Sequence, residues 1–230
     1  RQNDLKLALA YTTVMGLGTL VMLLGMGGDG AFVAFAVFLI VHALYKASLF
    51  LVIGILDKRA GSRMAEALGG LGRALPLTFA VALGAGLSMA GMIPFFGFIG
   101  KETIYEAGLH AHVLQPLVIA ASVLSNAMMF AIAGAVAVTP FVGARRAPKA
   151  EIKGAPWAMW IGPALLAALG LGFGLDGHLV DGAIVAPIAS AAAGRPIEVH
   201  LYLWHGITTP LILSLATFAL GVLLYLRLPA

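Results

Sequence analysis

The sequence predicts an all-α protein, a polytopic transmembrane helical bundle of about six crossings with one discontinuous helix, and three observations carry that expectation. Of the 230 residues, 61% are hydrophobic and only 10% are Asp, Glu, Lys or Arg, against roughly 25% charged in an ordinary soluble domain, and the mean hydropathy is +1.00. Apolar runs of about 20 residues, enough to cross ~30 Å of hydrocarbon, recur along the chain. The basic residues alternate in clusters between those runs, as cytoplasmic loops require. This composition excludes a soluble globular protein, and the lack of cysteine excludes a disulfide scaffold and a thiolate zinc site. The net charge of +4 is spread over short gaps between spans, so it reports topology rather than a nucleic-acid surface.

The predicted crossings lie near residues 5–25, 30–56, 113–139, 157–175 and 206–227, with a longer irregular run over 75–109. The first begins at Asp4, whose carboxylate suits a helix N-terminus. Loop charge supports the order. Arg1 and Lys6, then Lys58, Arg59, Arg63 and Arg73, then Arg145, Arg146, Lys149 and Lys153, and finally Arg227 mark one side. The gap at 26–30, the gap with His110 and His112, and a long gap with Asp176, Asp181, Glu198 and one Arg195 mark the other. This alternation holds if 75–109 is one crossing. About 35 residues are too many for one straight helix and too few for two. The stretch Ser88-Met89-Ala90-Gly91-Met92-Ile93-Pro94 supplies a break, because proline removes a backbone donor and disfavours helix in the residue before it. A helix to about Gly91, an unwound link and a second half to about Leu109 follow. Breaks at membrane depth occur where freed backbone groups meet protein or water, and in transporters they mark ion sites. Residues 178–205 are too polar to span and read as an extracytoplasmic, partly helical stretch, with Tyr202 and Trp204 at the membrane boundary. The hydrophilic start without an initiator Met and the stop soon after Arg227 read as a piece of a longer protein.

The informative charges are those within spans. Lys46 stands about ten residues from the cytoplasmic end of the second run, ~15 Å deep, too far to snorkel. A lysine there costs at least ~2.5–3.5 kcal/mol on insertion scales, which points to a site facing a hydrated interior. It reads as a proton carrier or as a structural partner across helices. His42, one turn earlier on the same face, can exchange a proton with Lys46 through water or cap a buried carbonyl. Lys101 and Glu102 lie in the second half of the broken helix, beside Gly97 and Gly100, whose lack of bulk can admit water or a neighbouring helix. Adjacent helical residues point about 100° apart, so the two address different partners, with Glu106 under Glu102. They read as relay members or as a solvated helix end. Thr12, Thr13, Ser122, Ser125 and Asn126 are expected to hydrogen-bond within or between helices, and His110, His112, His200 and His205 to be interfacial groups rather than metal ligands. No phosphate loop, nucleophile elbow or paired-carboxylate constellation is present, so no cofactor and no enzyme chemistry is expected.

Several blocks carry a resemblance. Asp4-Leu5-Lys6 with Leu9-Ala10-Tyr11-Thr12-Thr13, then His42-Ala43-Leu44-Tyr45-Lys46-Ala47, Leu68-Gly69-Gly70-Leu71 and Gly97-Phe98-Ile99-Gly100-Lys101-Glu102 resemble, in order and spacing, the antiporter-like subunits of respiratory complex I, membrane-bound hydrogenases and Mrp-type Na⁺/H⁺ antiporters. The tail His200-Leu201-Tyr202-Leu203-Trp204-His205-Gly206 and the stretch at 56–63 resemble most the large A-type subunits of the Mrp antiporters. Phe38, where long complex I subunits carry another His, points the same way. The resemblance implies that residues 1–140 are the second of two inverted five-helix repeats, the first lying upstream. Residues 141–230 would then be additional helices with an extracytoplasmic loop near 176–205. It also implies a proton relay through Lys46, His42, Lys101 and Glu102. The setting would be a bacterial inner-membrane assembly of several integral subunits, with H⁺ and Na⁺ as transported ions and no nucleic-acid partner. The site for Na⁺ is not assigned. A redox-coupled proton pump and a structural membrane module remain the alternative functions.

Overall fold

A computed structural model describes residues 2–149, 151–152, 154–204 and 206–227; Arg1, Lys153 and His205 lie outside the described residues. Helix α1 (Leu5–Met26) starts where Asp4 accepts hydrogen bonds from the backbone of Lys6 (2.9 Å) and Leu7 (3.2 Å). The same carboxylate pairs with Arg63 at 2.7 Å, tying the helix start to the loop after the second helix. Helix α2 (Asp29–Ala60) has 32 residues and is ~48 Å long, more than the hydrocarbon needs. It runs four residues past the expected end because nothing in Asp57-Lys58-Arg59 breaks a helix. Gly61, at φ +81°, ends it with a hydrogen bond to the Asp57 carbonyl of 3.1 Å. Lys46 therefore lies ~21 Å along the helix from that end, the added turn being the polar Asp57-Lys58-Arg59 and Ala60 beyond the apolar run.

The irregular run divides as the proline requires. Helix α3 (Pro76–Met89) opens with proline in its first turn, and α4 (Phe96–Leu109) resumes after a six-residue link. The link satisfies much of its own backbone: Gly91 N donates to Ser88 O at 3.0 Å, Met92 N to Leu87 O at 3.0 Å and Phe95 N to Met92 O at 3.0 Å. The two half-helices approach through glycine, since a Cβ on Gly97 would lie 1.7 Å from the Ser88 carbonyl oxygen. Helix α6 (Trp157–Leu175) covers the link, and a Cβ on its Gly174 would lie 2.2 Å from the Pro94 carbonyl oxygen.

Helix α5 (Gln115–Ala137) and the last helix, α8 (Thr209–Arg227), pack side by side. Gly221 meets the Phe130 ring and Gly134 meets Tyr225, each with room for no Cβ, and the Tyr225 hydroxyl lies 3.2 Å from Thr139 Oγ1. Helix α2 is the central column, touching α1, α3, α4 and α6. The predicted loop over 178–205 contains a short helix, α7 (Ala186–Ala193). No strand occurs among the described residues, and five helices are long and apolar enough to cross a membrane. The two sets of loops gather at opposite ends. Gly69 and Arg146 exchange backbone hydrogen bonds of 3.0 Å, and Lys149 Nζ donates to Lys58 O at 2.7 Å. At the other end Arg195 pairs with Asp29.

The close approach at Gly97 gives a testable consequence. Gly97→Ala forces the half-helices apart and is expected to lower the thermal unfolding midpoint in detergent by several degrees. Gly172→Ala, where nothing lies within 4 Å of the added Cβ, should leave the midpoint unchanged or raise it slightly.

Candidate functional site

The four residues singled out from the sequence lie on two adjacent helices. Helix α4 meets α2 at Gly100, where an added Cβ would come 3.2 Å from Val41. Val41 immediately precedes His42, and Gly100 immediately precedes Lys101. Lys46, His42 and Lys101 are buried, with relative exposures of 5%, 8% and 3%. No carboxylate forms an ion pair with Lys46 or His42 among the described residues.

Lys46 reaches across to α1. Its Nζ donates to the Leu9 carbonyl at 2.8 Å and to Thr12 Oγ1. Thr12 Oγ1 itself donates back to Leu9 O at 2.8 Å, so the ammonium is held by two neutral oxygens of one helical turn. Neutral acceptors solvate a charge without fixing it as an ion pair would, and a proton on Lys46 is held but not locked. His42 takes its order from rings. Its Nδ1 lies 3.0 Å from the Tyr45 hydroxyl, and Phe38 and Tyr45 meet the imidazole in T-shaped arrangements at centroid distances of 5.5 and 5.3 Å. Gly16 of α1 leaves the space the ring occupies, as a Cβ there would lie 2.3 Å from His42 Cε1. Nε2 is buried with no hydrogen-bond partner among the described residues. No direct hydrogen bond joins His42 to Lys46, so proton exchange between them needs an intermediary.

Lys101 and Glu102 diverge as adjacent helical residues must. The Lys101 ammonium sits 3.6 Å from the centroid of the Phe218 ring on α8, with Phe98 at 5.5 Å. No acceptor reaches Nζ among the described residues. Gly91 of the link, at φ +69°, passes so close that a Cβ would lie 3.0–3.3 Å from the lysine's Cδ, Cε and Nζ. Glu102 receives a hydrogen bond from Ser214 on α8 and lines a cavity of about 400 Å³ with Glu106, His110 and His200. That cavity lies at the end bearing the acidic and histidine-rich loops, so Lys101 faces inward and Glu102 faces an opening. An adjoining depression is lined by His110, His112, His200 and Glu198. No three His, Asp or Glu side chains converge on a point suited to a metal among the described residues.

Sequence reasoning undervalued several participants. Thr12 reads as an ordinary helical threonine, and its role follows only from α1 lying beside α2. Tyr45 lay in view, three residues from His42 and on its face. Ser214, Thr217 and Phe218 carry no local signal, because 112 residues separate Ser214 from Glu102 and Thr217 from Tyr105.

A multi-pass helical membrane bundle built around a broken helix and buried lysines is the class that fold and site define. The transmembrane family of NADH:quinone oxidoreductases and Mrp antiporters matches residues 1–142, and the chain belongs to that family. It is 32% identical to the A-type subunit of the Na⁺/H⁺ antiporter of Alkalihalophilus pseudofirmus, over 99% of this chain and 32% of that protein. It is 34% identical to the A1-type subunit of the Na⁺/H⁺ antiporter of Staphylococcus haemolyticus, over 98% of this chain and 31% of that protein. A chain in the structure of the Mrp complex from Dietzia sp. DQ12-45-1b aligns with a TM-score of 0.79 at 34% identity, covering 95% of this chain and 24% of that one. A chain of the membrane-bound sulfane sulfur reductase, an archaeal respiratory membrane complex, aligns with a TM-score of 0.62 at 27% identity, covering 96% and 37%. The chain thus spans about a third of the length of the curated relatives it matches.

The Lys46 seat makes a direct prediction. Thr12→Val keeps the side-chain shape but withdraws one of the ammonium's two oxygens, a loss of about 1–3 kcal/mol for a buried charged donor. Thr12→Ser restores the oxygen and is expected to recover most of it. Thermal unfolding of the assembled protein in detergent reads the order.

Proposed function

We propose that this chain is the second proton-conducting half of the large A-type subunit in a multi-subunit monovalent cation (Na⁺)/H⁺ antiporter, a secondary transporter component rather than an enzyme. Residues 1–140 form the second antiporter-like repeat, and residues 141–230 supply additional helices with the outer loop. The matched length, the family model's end at residue 142 and the named relatives support this division. The setting is a bacterial inner membrane, where the other integral subunits complete the path. Redox-driven proton pumping is the second reading, favoured by the likeness to the respiratory reductase complex, though the likeness to that complex is the weaker in both identity and TM-score.

The observation that carries the proposal is the series of buried, loosely held polar groups: Lys46 on neutral oxygens, His42 Nε2 without a hydrogen-bond partner among the described residues, and Lys101 Nζ on a ring. A buried ammonium kept for stability alone would be expected to gain a carboxylate and a full set of acceptors. In the proposed path Lys46 receives charge from the upstream half and His42 with water connects it to α4. Lys101 passes the proton outward by way of Glu102 and the cavity. The transmembrane potential supplies ~2.3 kcal/mol per charge per 100 mV. Sodium prefers hard oxygen ligands, and the residues at membrane depth offer few carboxylates beyond Glu102, so the cation is assigned to other parts of the assembly.

Lys46→Ala and Lys101→Ala are each expected to abolish Na⁺-dependent ΔpH changes in everted vesicles holding the complete antiporter at normal expression. Exchange retained in both variants would support a purely structural role for these lysines.

A further inference from the structure

Helix α8 lies beyond the stretch matched by the family, yet one of its faces completes the Lys101 site. Ser214, Thr217 and Phe218 follow helical spacing, so they share a face. Ser214 donates to Glu102, Thr217 Oγ1 lies 2.5 Å from the Tyr105 hydroxyl, and the Phe218 ring carries the Lys101 ammonium at 3.6 Å. One turn later Gly221 presses α8 onto Phe130, and Phe130 packs on Phe218 with ring centroids 5.7 Å apart. The Phe218 ring is therefore positioned by the close approach of α8 at Gly221 to the Phe130 side chain.

We propose that Phe218 is a positioning residue for the outward proton step. Its ring seats the Lys101 ammonium away from the Glu102 carboxylate, which Ser214 holds one turn nearer the cavity. The inference rests on the proton path proposed above. An ammonium and a carboxylate on adjacent residues, in a medium of low dielectric, attract strongly, and a closed ion pair would retain the proton. A ring face attracts the cation electrostatically but accepts no proton, so it holds the charge without competing for it. When the lysine leaves the ring, Nζ–H transfers its proton through an intervening water to the Glu102 carboxylate. A neutral amine and a carboxylic acid result, and the acid then releases the proton into the cavity. The same face fixes both ends of that transfer, with Phe218 for the donor and Ser214 for the acceptor.

The test uses the complete antiporter in everted vesicles, reading the initial rate of Na⁺-driven ΔpH change with complex assembly measured on native gels. Phe218→Leu removes the ring but keeps an apolar side chain, and the expected result is a rate about thirtyfold lower with assembly unchanged, the scale of a desolvated cation–π contact. Phe218→Tyr and Phe218→Trp restore most of the rate. Wild-type rates for Phe218→Leu, or equal losses for Leu, Tyr and Trp, would overturn the inference. Lys101→Ala is run beside them. Exchange retained in that variant defeats the underlying proton path, whereas exchange lost there and normal in Phe218→Leu defeats only the role of Phe218. If Phe218→Leu fails to assemble, stepwise fluorination of the Phe218 ring weakens its attraction for cations with little change of shape. A rate falling with each fluorine supports the seat, and a flat series overturns it.

Discussion

An ammonium group inside an apolar bundle must be given something to replace water, and the architecture here turns on how that is done for Lys46 and Lys101. Neither forms an ion pair with an acid among the described residues. Lys46 is met by a carbonyl and a hydroxyl from α1, and Lys101 by an aromatic face from α8. Each substitute is weaker than an ion pair. The helices must therefore be held in place by other means, since the charges themselves contribute little cohesion.

Glycine supplies much of that cohesion. Gly16 makes room for His42, Gly97 lets the half-helices touch, Gly174 lets α6 cover the link, and Gly221 seats α8. Association of helices in lipid depends on close packing at small residues. Each of these contacts also sets the position of a polar group: the imidazole between two rings, the freed backbone near Pro94, the ring beneath Lys101. Packing and site chemistry are thus the same set of contacts viewed from two sides.

The bundle was largely legible in the sequence because membrane spans are written as local runs, and Pro94 announced the break within a few residues of its place. Helix α2 ran longer than expected because polarity ends a span without ending a helix. Lys46, His42, Lys101 and Glu102 stood out as candidates because charge at depth is conspicuous, and the first three are buried. Their surroundings were not. Thr12, Phe218 and Ser214 are unremarkable in their own helices, and what makes them partners is the non-local docking of α1 and α8. The resemblance placed additional helices after residue 140, but the family model ends at residue 142, and neither tells that α8 docks on α4.

Lys46 and Lys101 are taken to be successive stops on one path, and that claim is tested most directly by a double-mutant cycle. Lys46→His and Lys101→His each keep a titratable group and are expected to slow Na⁺-driven proton movement in vesicles of the complete assembly. For steps in series, the double variant should run at about the rate of the slower single variant. Losses that multiply in the double variant would mean that the two lysines act independently, and would contradict a shared path.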